Sequence, residues 1–197
     1  LERHTPLGPM QLMSDVLAQC EALLAQGQVQ FMLCHTHAAV PGAIDSAQGP
    51  SVVVGTDTLM PVCAPAQGGR KGQARALHSL DARPLGLTEP VPVLGYSAQS
   101  GVGRILQAVH GASLRKLGVH TVFTAHLASV LKTMAMDGRG VAWLPASLVT
   151  DELAQGLLVP AGGARWAVPL DVRLYRDTAP LGVAAEGFWV AATRSVR

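Results

Sequence analysis

The densest run of side chains capable of chemistry in this 197-residue sequence is Cys34-His35-Thr36-His37. Its residue types can bind a metal, but zinc wants three or four ligands, and no further Cys or His pair lies nearby in sequence. As a nucleophile, Cys34 with His35 would also need an orienting third group and an oxyanion site, and the sequence indicates neither. Ser97, Ser100 and Gly101, followed by Gly103, offer different chemistry: hydroxyls and backbone amides that can present a shallow nest to an anion. This partial glycine pattern falls short of a nucleotide loop. Ser14, Asp57 within Thr56-Asp57-Thr58, and Thr124 with His126 are smaller polar groups. Ser14 can cap a helix, hold an anion at the helix N-terminus, or do both. His126 can pair with an anion or sense pH, although a histidine in such a place more often faces solvent or caps a helix.

Sulfur chemistry is the other candidate. Oxidation to the sulfoxide makes a methionine polar and can repack a domain, so Met134, Met136 and Cys34 are candidate redox-sensing residues. Met134 and Met136 stand two apart on a predicted helix, so their side chains diverge and at least one should be accessible. Met10, Met13, Met32 and Met60 invite the same reading, and most of the six methionines are expected in the core.

These groups need elements to position them. Hydrophobic residues make up 49% of the chain, enough for a substantial core, which argues against disorder. Only 14% of residues are charged and the net charge is +2, so the dense basic face of an autonomous DNA binder is missing. Aromatic residues are 4% and scattered, which argues against a single-strand channel. Cys20, Cys34 and Cys63 cannot all pair internally, and none has the close Cys partner of a zinc knuckle or redox dithiol; a reducing cytoplasm fits best. No run of about 18 apolar residues suggests a membrane span, and Leu1-Glu2-Arg3-His4 lacks the order of a secretion signal. The expectation is a cytoplasmic protein without membrane contact.

Along the chain, 10–13 reads as a short apolar strand and Ser14-Asp15 as the cap of a helix carrying Val16, Leu17, Cys20, Leu23 and Leu24, closed by Gly27. Strands are expected at 31–34, 52–54, 59–64, 91–96, 119–123, 141–144, 157–159 and 168–175. A turn at 55–58 separates two of them, and 65–84 reads as an exposed loop. Helices are expected at 102–109 and at 125–137 with Thr124 as cap, then one opened by Ser147 and a terminal one after Pro180. No repeat is visible. Strands alternating with helices mean an α/β chain with largely parallel sheets. Ligands in such folds bind beyond the carboxyl ends of strands, which selects 14–15, 35–37, 56–58, 97–101 and 124–126.

Residues 127–145 read LASVLKTMAMDGRGVAWLP. This resembles the helix, turn and strand of LysR-type effector domains, in which Gly-x-Gly, a β-branched residue, a small residue, any residue, Leu and Pro follow in order; Gly138, Gly140, Val141, Ala142, Leu144 and Pro145 match. The physics agrees: Gly138 can take a left-handed C-cap and Gly140 lets the chain reverse beside the sheet. The likeness covers nearly the whole chain. It departs at Gln30, where the family often has an acid. Residues 31–35 and 130–135 also resemble the branch that includes hypochlorite-responsive regulators.

That resemblance implies two Rossmann-like lobes of the type II periplasmic-binding-protein kind, joined by two crossover strands, with an effector in the cleft; the polar groups expected at helix N-termini favour a small anion. The expected division is 1–53 as the first part of lobe I, N-terminally incomplete, 54–157 as lobe II and 158–197 as the rest of lobe I. Effector contacts fall to Ser14, His35, His37, Asp57, Ser97, Ser100, Gly101, Thr124 and His126. The resemblance implies no catalysis, cofactor or metal, a homodimer here and a tetramer in the intact regulator, and DNA contact only through an N-terminal domain outside these residues. The alternatives are a periplasmic-type solute-binding protein and an oxidant sensor acting through methionine or cysteine. An α/β enzyme lacks a nucleophile elbow, phosphate loop or metal constellation.

Overall fold

Leu17, Cys20 and Leu24 recur on one helical stripe and form α1 (Leu17–Ala25), after which Gly27 reverses the chain at φ 67° into β1 (Phe31–Thr36). The computed structural model describes residues 10–41, 49–66, 75–81 and 89–194. The remaining elements are β2 (Ser51–Cys63), β3 (Val91–Tyr96), α2 (Gly101–Leu117), β4 (Val119–Ala125), α3 (Ala128–Met136), β5 (Val141–Pro145), α4 (Ala146–Ala154), β6 (Val159–Pro160), a 3-10 turn (Ala164–Trp166), β7 (Val168–Arg176) and α5 (Val183–Arg194).

The chain divides into two compact units, one drawing on residues up to Thr56 and from Leu170 onward, the other on Asp57–Pro169. In the first unit β1 runs antiparallel to β7, from Phe31 opposite Arg176 to Thr36 opposite Asp171. The alternating side chains place Met32 and Tyr175 on the face covered by α1, where they bury Leu24. Phe31 meets Phe188 of α5 at 4.8 Å between ring centroids. Arg176 lies over the Trp189 ring and grips Glu186 through both terminal nitrogens, at 2.9 and 2.7 Å, pinning α5.

In the second unit β3 is flanked by β4 and β5, both parallel to it, and β5 runs antiparallel to the later part of β2. All of β5 is buried, which explains its unbroken apolar run. Leu94, Leu131, Ala135, Leu144, Val149 and Leu158 form the core with Val62 and Ala142. Gly138 closes α3 at φ 75°, and a Cβ on Gly140 would sit 2.8 Å from the Pro92 carbonyl oxygen, so only glycine fits there.

The α/β class stands, but the sheet is mixed: β4, β3 and β5 pair in parallel, whereas β1 with β7 and β2 with β5 and β6 pair antiparallel. The apolar run 10–13 is not a strand. Met10, Leu12 and Met13 are exposed, and no described strand pairs with them; an apolar run without a neighbour to take its hydrogen bonds does not hold a pleat. The predicted turn at 55–58 is instead the middle of β2, because strand pairing on either side keeps the backbone extended and its threonines suit that conformation. Helix α2 runs on to Leu117, since Ile105, Leu106, His110 and Leu114 extend its buried stripe until Gly118 turns left-handed at φ 68°. Part of the expected exposed loop contributes to the interior: Leu80 is 1% exposed, while 67–74 and 82–84 lie outside the described residues.

Candidate functional site

Parallel pairing of β3 with β4 sets Gly95 opposite Thr124 and Tyr96 opposite Ala125. The Ser97 amide then donates to the Ala125 carbonyl at 2.9 Å, so the carboxyl ends of both strands finish side by side. Ser97, Ser100, Gly101, Thr124 and His126 are thereby brought together within the second unit. Ser100 is 6% exposed and caps α2, its Oγ accepting from the Gly103 amide at 3.3 Å. A helix start leaves the next amides without intrahelical acceptors, and α2 has no acid in its first turn to satisfy them. The buried Ser97 Oγ has no hydrogen-bond partner among the described residues. An orphaned hydroxyl three residues ahead of the N-cap of a helix whose first amides lack intrahelical acceptors is chemically a candidate anion cradle. Thr124 and His126, at the end of the neighbouring β4 and just past it, are exposed. Thr124 does not cap a helix: β4 continues to Ala125, and α3 begins at Ala128 behind Leu127.

The cradle is rigid on one side. Tyr96 donates its hydroxyl to the Trp143 carbonyl at 2.8 Å, and burial pushes its phenol far above the usual range. A Cβ at Gly103 would lie 2.6 Å from the Tyr96 Cβ, so the helix start and the strand end touch backbone to side chain.

Other expected contacts have different surroundings. Asp57 is committed to α4: its carboxylate takes the Ser147 hydroxyl at 2.5 Å and the Ser147 amide at 3.3 Å, as well as the Thr58 amide. Ser147 therefore does not open α4 by its own side chain; Asp57 does so from across the fold. Ser14, His35, His37 and Cys34 all belong to the first unit. Ser14 is exposed and does not cap α1, whose N-cap is Val16, while the neighbouring Asp15 carboxylate takes the Val16 amide at 2.7 Å. His37 accepts the Ala39 amide at its Nδ1, at 3.0 Å. His35 and Cys34 are half-buried on β1. Met134 packs against the second unit's core, whereas Met136 is 39% exposed. Among the described residues no three His, Cys, Asp or Glu side chains are grouped as a metal site, and no helix is long and apolar enough to cross a membrane.

Sequence reading missed a knot in the second unit. Asp81 accepts Trp166 Nε1 at 2.9 Å and the Gly163 amide and pairs with Arg165, while Trp143 Nε1 donates to the Trp166 carbonyl at 2.9 Å. Burial works against the Asp81 charge, yet the Gly163 amide, Trp166 and Arg165 hold its carboxyl below the usual range. His110 of α2 lies 5.4 Å from the Trp166 ring, and its buried Nε2 has no partner among the described residues. Burial lowers its pKa, against a hydrogen bond to the Trp166 backbone. The only sequence signal was a histidine on the apolar stripe of α2.

The profile of the LysR substrate binding domain matches residues 2–196. The chain belongs to that family. This LysR domain is 32% identical over 131 residues to the HTH-type transcriptional regulator YjiE of Escherichia coli K12, covering 66% of the chain and 39% of YjiE. It spans less than half the length of the curated relatives it matches. The regulatory domain of HypT from Salmonella typhimurium in its apo form superposes with a TM-score of 0.78 at 23% identity, over 98% of this chain and 85% of that one. The bromide-bound form of the HypT domain gives 0.72 at 25% identity, over 95% and 84%. These LysR regulatory domains have the two-lobe, periplasmic-binding-protein-like fold, as the resemblance of residues 127–145 implied, and the family is one of transcription regulators.

Proposed function

We propose that this LysR domain senses a small anionic effector held by Ser97, Ser100 and the first amides of α2, with Thr124 and His126 at the rim. The observation that carries the reading is the buried Ser97 hydroxyl left without a partner beside a helix start that has no acid in its first turn. A buried hydroxyl that finds no acceptor or donor costs about 1–3 kcal/mol, and a bound anion would remove that cost. Bromide bound to the HypT domain supports a halide or carboxylate as the chemical class. Asp57 serves as a clip on α4, and Ser14, His35 and His37 offer further polar contacts from the first unit. In the intact regulator, which works in the cytoplasm, effector binding shifts the population of domain conformations. Paired domains pass that shift to a DNA-binding segment outside these residues.

Thermal-shift titration with sodium bromide, chloride, acetate and a matched non-binding salt tests the proposal. Saturable stabilisation by one anion in the parent chain, lost in Ser97→Ala, is the expected result. Stabilisation by neutral apolar compounds alone would overturn the anion assignment.

A further inference from the structure

Leu24, Met32 and Tyr175 form a buried cluster in the first unit, and two cysteines, Cys20 and Cys34, pack against it. Helix α1 packs directly on β1, and residues 26–30 between them are too few to do anything but return the strand alongside the helix, running the opposite way. Leu24 and Met32 therefore mark one level of the contact. Cys20 lies four residues back from Leu24, about 6 Å along the helix axis. Cys34 lies two residues beyond Met32 on the same strand face, about 6.6 Å along β1. Both steps go the same way, so the two cysteines reach the same level on facing sides of the α1–β1 contact. Both are partly exposed and neither is in a disulfide, and the Cys20 thiol has only a 3.6 Å approach to the Asp15 carbonyl.

We infer that Cys20 and Cys34 are a dithiol that closes to a disulfide under a hydroperoxide, cross-linking α1 to β1. One thiolate attacks the peroxide, breaking the O–O bond and giving a sulfenic acid and hydroxide, which takes up the proton the thiol released and leaves as water. The second thiolate attacks that sulfur, and the hydroxide displaced takes up a proton as water. Two thiols and one hydrogen peroxide thus yield one disulfide and two waters. Cys63 is the internal control: it is fully buried, burial pushes its thiol up, and it is spared.

The test treats the purified chain with stoichiometric hydrogen peroxide, blocks the remaining thiols, denatures the protein and cleaves it after Glu21 and before Asp45, placing the three cysteines on separate peptides. The expected product is a reducible link between the Cys20 and Cys34 peptides, with one blocked thiol left at Cys63. That link disappears in Cys20→Ser and in Cys34→Ser and persists in Cys63→Ser. Closing this loop also raises Tm by about 5–10 °C, reversed by dithiothreitol. Oxidation to separate sulfinic or sulfonic acids, or cross-links only between copies of the chain, would overturn the inference.

Discussion

His110 makes the second unit sensitive to acid, and the sign follows from its surroundings. The imidazole is 8% exposed, packs on Trp166 and carries a buried Nε2 with no partner among the described residues, so a second proton would place an unpaired charge in the interior. The charged groups of the adjoining turn, Arg165 and Asp81, already pair with each other, and its own helix ends in Arg115 and Lys116. Burial, opposed only by the hydrogen bond to the Trp166 backbone, keeps the folded-state pKa below the unfolded value of about 6.5. Above that value both states are neutral and the site is indifferent to pH. As pH falls through about 6.5 the unfolded chain takes a proton that the native chain refuses, and stability drops with a slope approaching about 1.4 kcal/mol per pH unit. The fall levels off once the native imidazole also protonates. Between pH 7.5 and 5.5 the loss has a ceiling of roughly 1 to 2 kcal/mol. Urea unfolding at both pH values, on the parent and on His110→Gln, isolates the term, because the other histidines are common to both proteins. The parent should lose more stability on acidification than the variant. Identical pH dependence in the two would mean that His110 is not the group that resists protonation in the folded state.

Two substitutions probe the scaffold around the cradle. Gly140→Ala drives a methyl to 2.8 Å from the Pro92 carbonyl oxygen, backbone that cannot step aside, and should cost on the order of 1–3 kcal/mol in urea unfolding; a cost below about 0.5 kcal/mol would mean the β3–β5 contact is looser than described. Asp57→Ala removes the acceptor for the Ser147 hydroxyl and amide and should cost about 0.5–2 kcal/mol, with faster amide exchange in the first turn of α4; unchanged exchange at Ser147 would show that the clip does not form.

Strands whose burial is complete were readable in advance. β5 is an apolar run bounded by Gly140 and Pro145, and the glycine pair before it has the conformations its spacing implied, because a left-handed cap and a close backbone approach leave few alternatives to glycine. Segments 10–13 and 55–58 misled because their state depends on neighbours rather than on their own residues. The first lacks a pairing strand among the described residues, and the second is held extended by strands on either side. Thr124 looked like a cap because it follows a β-branched run, yet pairing with β3 carries β4 past it. The polar ends of β3 and β4 were legible as a candidate site from topology alone, since parallel strands separated by helices must finish on the same side. The clip that Asp57 makes on α4 was not, because its partner Ser147 lies 90 residues away. The knot of Asp81, His110 and Trp166 and the level shared by Cys20 and Cys34 depend likewise on tertiary contacts that no local pattern announces.

The claim that an anion occupies the cradle is tested most directly by following backbone amide resonances of the 15N-labelled chain during a bromide titration. Saturable shifts are expected at Gly101 and Val102 with a matching shift at Ser97, reduced at least tenfold in apparent affinity by Ser97→Ala. Saturable shifts clustered elsewhere, or linear drift without saturation at these amides, would contradict it.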